Sequence, residues 1–163
     1  IDVWRELDPA LWESEFTFPR ASSGEIVKSE IPNERPSGIM GLVMNTRSPL
    51  FSDWRVRQAM IEAFNWDFIN DALSGGEEQR ITSYFANSAL ATPPGTPAEG
   101  RTRALLEPFA DTLLPGALDG YTLPEGSDQP LDRRAMRRAL ALFEDAGWTV
   151  QNGVLSNAEG QPF

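Results

Sequence analysis

The 163-residue sequence contains neither histidine nor cysteine. Without histidine there is no Ser-His-Asp or Cys-His machinery and no imidazole-held metal. Without cysteine there is no disulfide, no zinc ribbon and no thiol nucleophile. Lysine is nearly absent too. Lys28 is the single one, so a Ser-Lys dyad or a Schiff base would have to use it, and it lies in a polar run, Glu25 to Ile31. Positive charge is scarce: 14 basic side chains face 24 acidic ones, a net charge of −10. That balance disfavours nucleic acid and anionic membrane surfaces, both of which are held through Lys and Arg. No run approaches the roughly 20 apolar residues of a membrane span, so direct membrane insertion is not expected. The apolar share of 40% is nevertheless too high for a disordered chain of this charge, and one unit over 1–163 is the expectation at this length. The sequence begins at Ile1, as a mature chain or an excised piece would, and Gln161-Pro162-Phe163 ends it where a strand is expected to begin.

What is present is organised by caps and breakers. Asp8-Pro9 predicts a helix start with Leu7, Leu11 and Trp12 on its apolar stripe. Phe16 and Phe18 alternate before Pro19 and predict a short extended piece. Ala21 to Gly24 reads as a turn and Glu25 to Ile31 as a mostly polar strand. The continuous apolar run Gly38 to Asn45 reads as a strand covered on both faces. Ser52 or Asp53 caps a helix whose stripe is Val56, Ala59, Met60, Ala63 and Phe64. On this stripe Phe64→Ala costs about 3–5 kcal/mol. Asp67 recaps a second piece, Phe68 to Leu73, stopped by Gly75-Gly76. Residues 77–100 read as loop, 101–114 as a helix interrupted at Pro108, and 115–130 as irregular. Asp132 caps a last helix with Met136, Ala139, Leu140 and Phe143 inward and Gly147 at its end. Asn152-Gly153 between alternating arms is a hairpin signal. The mixture predicts an α/β or α+β chain with long ordered loops.

Paired carboxylates are the only catalytic apparatus this composition leaves. Glu77-Glu78 point apart in regular structure, and Asp67 and Asp71 share a helix face on which Asp67 reads as a cap. Glycoside hydrolysis requires two carboxyls facing each other across a cleft, and nothing in the spacing indicates that, so an acid-base hydrolase has least support. Arg133, Arg134, Arg137 and Arg138 could grip an anion or simply form the polar face of an amphipathic helix. Gly75-Gly76 lacks the Gly-Lys-Ser/Thr of a P-loop. Arg80, Ser83, Tyr84 and Phe85 combine the residue types that fill recognition pockets; Tyr84 and Phe85 could equally pin their loop to the core.

Three stretches taken in order carry a resemblance. They are Met44-Asn45-Thr46-Arg47-Ser48-Pro49-Leu50-Phe51, Asp53-Trp54-Arg55-Val56-Arg57-Gln58-Ala59-Met60, and Ala146-Gly147-Trp148 before Asn152-Gly153-Val154-Leu155. Together they resemble the family 5 extracellular solute-binding proteins, the peptide receptors of ABC importers. The Arg80 to Ser88 loop and Leu106 to Phe109 add similarity to the YejA-like branch. The resemblance implies an α/β fold that is part of the second lobe of a two-lobed periplasmic binding protein, type II, peptide-binding class, within a longer polypeptide. It makes 1–37 a lead-in from the neighbouring part of the lobe. It implies no enzyme activity and no cofactor, but a cleft that closes on a peptide or oligopeptide. The implied partners are that ligand and an inner-membrane ABC permease, with a monomeric, periplasmic full-length protein that starts with a signal peptide. The ligand-binding residues implied are Met40, Asn45, Arg80, Ser83, Tyr84 and Phe85: Arg80 and Tyr84 orient the ligand and Asn45 contacts its backbone. The alternative is a stand-alone protein-interaction module that uses Trp4, Trp12, Phe16 and Phe18 as its contact patch.

Overall fold

Asp53 begins the best-packed part of the molecule. In the computed structural model, which describes residues 3–6, 11 and 14–163, its Oδ1 accepts the Arg55 amide at 2.8 Å and starts the helix Trp54–Ala63. In chain order the described helices are α1 (Pro19–Ser22), α2 (Pro49–Ser52), α3 (Trp54–Ala63), α4 (Trp66–Ser74), α5 (Gly100–Leu106) and α6 (Arg133–Asp145). A 3-10 turn over Glu107–Thr112 continues α5, and the strands β1 (Thr149–Gln151) and β2 (Val154–Ser156) close the chain.

The core lies between α3 and α6. Val56 and Ala59 meet Ala139 and Phe143, all buried, with Phe51, Met60, Leu142, Ala146, Trp148 and Leu155 packed around them. Alanine on both sides lets the two backbones approach closely. The helices run antiparallel, as their end contacts show. Arg55, at the start of α3, holds Asp53 through both carboxylate oxygens and donates through Nη1 to the Asp145 carbonyl at the end of α6. Glu62, near the end of α3, takes Arg138 of α6 at 2.8 Å. Arg57 donates to the Phe51 and Ser52 carbonyls and folds α2 back onto α3.

Several local expectations hold. Asp132 caps α6 by accepting the Arg134 and Ala135 amides at 2.8 and 2.9 Å. Gly75, at φ 62°, ends α4, and the Gly75 and Gly76 amides bond back to Asp71 and Asn70. Asn152 and Gly153, at φ 52° and 82°, make the tight turn between β1 and β2, which pair antiparallel with Val150 opposite Leu155. Phe163 folds back edge-on against Phe143 and Trp148, after an isolated bridge between Ser156 and Pro162.

Others do not hold. Phe64 is the C-terminal boundary residue of α3 and stays 45% exposed. The α3 stripe is therefore Val56, Ala59 and Met60, and Ala63 and Phe64 rotate out of it. On α6 the buried positions are Ala135, Ala139 and Phe143, with Met136 and Leu140 only half-buried. Asp67 lies inside α4 rather than capping it. Phe18 and Pro19 begin the short α1, since Pro19 fits a first helical position as readily as it ends a strand. No strand forms over 25–31 or 38–45. Both segments run exposed with no ladder partner among the described residues, because an apolar run becomes a strand only beside another. The expected helix around Asp8-Pro9, with Leu7 and Trp12, lies outside the described residues. Among the described residues the mixed class thus consists of helices with a single two-stranded sheet. The accessible surface, 12807 Å², exceeds the roughly 8,000 Å² of a compact chain this size.

The Arg55 guanidinium, hydrogen-bonded to Asp53, holds that carboxyl below its ordinary pKa. A lowered folded-state pKa contributes stability that is fully present above the unfolded value and is lost as pH falls through the folded one. Asp53→Ala is therefore expected to cost about 1 kcal/mol near neutral pH, with the gap closing as acid protonates Asp53 in the parent; urea titrations at a series of pH values measure it. Val56→Ala is expected to cost about 2 kcal/mol and Phe64→Ala less than about 1 kcal/mol. Equal losses would place Phe64 back in the core.

Candidate functional site

Long loops can present side chains to a ligand only if their backbones are held. Here side chains do the holding. Asn70 on α4 accepts the Glu78 amide and donates to the Glu78 carbonyl, which fixes the start of the loop after α4. Arg80, half-buried, donates Nη1 to the Pro124 carbonyl at 2.9 Å. The Pro124 loop is itself clasped to the α3–α4 junction. Asn65 takes the Ser127 amide at 3.0 Å and donates to the Gln129 carbonyl at 2.7 Å, and Asp67 accepts the Gly126 amide at 2.7 Å.

Beyond Arg80 the chain turns twice. Ser83 accepts the Phe85 amide through Oγ and the Ala86 amide through its carbonyl. Ser88 donates its hydroxyl to the Phe85 carbonyl at 2.7 Å. Asn87, in the left-handed region at φ 65°, donates to the Asn33 and Arg35 carbonyls at 2.8 and 2.9 Å. The Ser37 amide donates to the Ala86 carbonyl. The 83–88 turn is thus laid across the 33–37 segment and tied to it. Tyr84 projects from this turn 80% exposed, with Phe85 half-exposed beside it.

The six residues proposed from the sequence fall in three places. Arg80, Ser83, Tyr84 and Phe85 share the tethered loop. Met40, 97% exposed, follows the segment on which that loop rests. Asn45 lies further on, where its Oδ1 accepts the Arg47 amide at 3.2 Å and its carbonyl accepts the Ser48 amide. No hydrogen bond joins Met40 or Asn45 to the loop among the described residues. Two open depressions lie elsewhere. One, of about 610 Å³, is bounded by Asp53, Trp54, Arg57 and Leu114. The other, of about 670 Å³, is bounded by Ser127, Leu131, Arg133 and Arg134. Neither includes a residue singled out as ligand-binding. The Asn65, Asp67 and Asn87 tethers also went unforeseen, because an Asx side chain reads alike as cap, turn or tether. Among the described residues no acidic cluster has a metal-ligand arrangement, and no helix is long and apolar enough to cross a membrane.

The family description "Bacterial extracellular solute-binding proteins, family 5 Middle" matches residues 1–161. The chain belongs to this family. Family 5 membership implies that the chain is part of a two-lobed type II binding-protein fold. The peptidoglycan-binding protein YepA of Agrobacterium fabrum is 34% identical over 155 residues, 94% of this chain and 25% of YepA. The same species has a relative named "Probable peptide-binding protein YejA", 32% identical over 161 residues, 97% of this chain and 26% of that protein. Escherichia coli YejA is 30% identical over 164 residues, 99% of this chain and 27% of its own length. The chain spans about a quarter of the curated relatives it matches.

The clasp at Gly126 can be tested in this family 5 chain. A Cβ there would lie 2.5 Å from Asn65 Oδ1 and 2.7 Å from Asp67 Oδ2, so Gly126→Ala must push both acceptors away. Amide exchange at Ser127 is expected to accelerate about tenfold, the equivalent of one hydrogen bond, with α3 and α6 amides unchanged. An unaltered Ser127 rate would mean that the loop is held by other contacts.

Proposed function

We propose that the protein is the substrate-binding component of an ABC importer for peptides or oligopeptides. It captures its ligand between two lobes in the periplasm and delivers it to an inner-membrane permease. In this reading the chain contributes part of the second lobe, with 1–37 leading in from the adjoining part, and the full-length protein works as a monomer. The observation that carries the proposal is the family match across residues 1–161, joined by relatives named for peptide and peptidoglycan binding.

The tethered loop suits the task. Tyr84 offers a large, stiff aromatic surface that loses little entropy on binding, and its backbone is held before any ligand arrives. Phe85 and Met40 extend the apolar contact. Arg80 uses one N–H on Pro124, which leaves guanidinium donors for a peptide carbonyl or carboxylate. Ser83 shapes the turn. The Nδ2 of Asn45 makes no hydrogen bond among the described residues, and its two donors can meet a peptide backbone. The contact-patch reading retains one specific observation: Trp4 is 62% exposed, and the Phe16 and Phe18 rings lie 6.3 Å apart.

Calorimetry of the full-length protein against a panel of short peptides tests the proposal. Binding without turnover is expected, with Tyr84→Ala weakening affinity about tenfold or more and Arg80→Ala weakening it as well. Tight binding that neither variant alters would remove both residues from the site. Release of any cleaved product would overturn the binding role.

A further inference from the structure

The charges on α6 run against the helix they sit on. Arg133 and Arg134 occupy its first turn and Arg137 its second, while Glu144 and Asp145 occupy its last. Backbone dipoles make the start of a helix electropositive and its end electronegative, so both sets sit at the unfavourable end. Arg133 and Arg137 are also like charges four residues apart, as are Arg134 and Arg138, a spacing that repels. Arg138 is compensated by Glu62. Arg133, Arg134 and Arg137 are exposed, and among the described residues they make no ion pair and no side-chain hydrogen bond. Packing does not require them either, because α6 buries Ala135, Ala139 and Phe143 on another face. Local conflict that nothing in the fold repays is typical of a functional surface.

We propose that the Arg133–Arg134–Arg137 face of α6 docks an acidic segment of a partner protein. Guanidinium forks match carboxylates in pairs. An open depression bounded by Leu131, Arg133 and Arg134 adjoins this face. Asp132, which also lines the depression, is engaged by the Arg134 and Ala135 amides. The net charge of −10 selects the class of partner. A membrane or a nucleic acid is a broad anionic surface and meets the acidic remainder of this chain as well. A short acidic segment meets only what lies within about 8–10 Å, the screening length at physiological salt. This surface is independent of the peptide-capture loop and would stand if that loop were reassigned.

The test uses the full-length protein and fluorescein-labelled octaglutamate, read by anisotropy. Binding is expected despite the overall negative charge, weakening as salt is raised. The triple substitution Arg133→Gln, Arg134→Gln, Arg137→Gln is expected to lower affinity about tenfold or more without lowering the melting temperature, since misplaced charges have been removed. The corresponding triple Arg→Lys protein is expected to keep most of the affinity. No binding by the parent protein, equal binding by the Gln triple, or stronger binding to phosphatidylglycerol vesicles than to the peptide would each overturn the proposal.

Discussion

Close approach of α3 and α6 across Ala59 and Ala139 is the contact on which the described structure depends. Neither helix is long enough to be stable alone in water; each needs the other's apolar stripe. Small side chains at the crossing bring the backbones near enough for Val56 and Phe143 to be covered and for the ends to be clamped. Arg55 performs two functions in this arrangement. It neutralises the Asp53 cap that starts α3, and it satisfies a carbonyl that α6 would leave open at Asp145. The hairpin and the Phe143–Trp148–Phe163 rings then close over the same core from the C-terminal side.

Away from that core, order comes from polar tethers rather than burial. Asn65, Asp67, Arg80 and Asn87 each bind the backbone of a distant segment, and Asn70 binds the loop that follows its own helix. Short Asx side chains suit this work because they span from one chain to the next with few rotors to freeze. The arrangement fits a binding protein, whose recognition loops must be held in place yet stay open to solvent. It also fits the large surface, since side chains such as Met40, Leu42, Val43 and Tyr84 stand uncovered.

Local signals were legible in the sequence. Asp53 and Asp132 cap helices because a carboxylate two or three residues before an amide can reach it whatever the tertiary surroundings. Gly75 ends α4, and Asn152-Gly153 makes a tight turn, because positive φ is inexpensive there. The order of motifs from Met44 to Leu155 placed the chain in its family. Phe64 leaves the stripe because α3 ends at Ala63 and the Phe64 backbone is extended, so helical spacing no longer sets its direction. The segments 25–31 and 38–45 were misread because alternation and apolarity describe what a strand needs, and supply no partner.

The caps, the stops, the hairpin and the family are therefore local or ordinal properties of the chain, set by backbone bonds between near neighbours or by the order of residues. Which side of α3 is buried, the laying of the Tyr84 turn across 33–37 by Asn87, and the rest of Arg80 on Pro124 arise from long-range packing. Those outcomes join groups 44 to 54 positions apart or depend on which helix arrives opposite. Such contacts form only once the chain has closed on itself, so no local pattern encodes them.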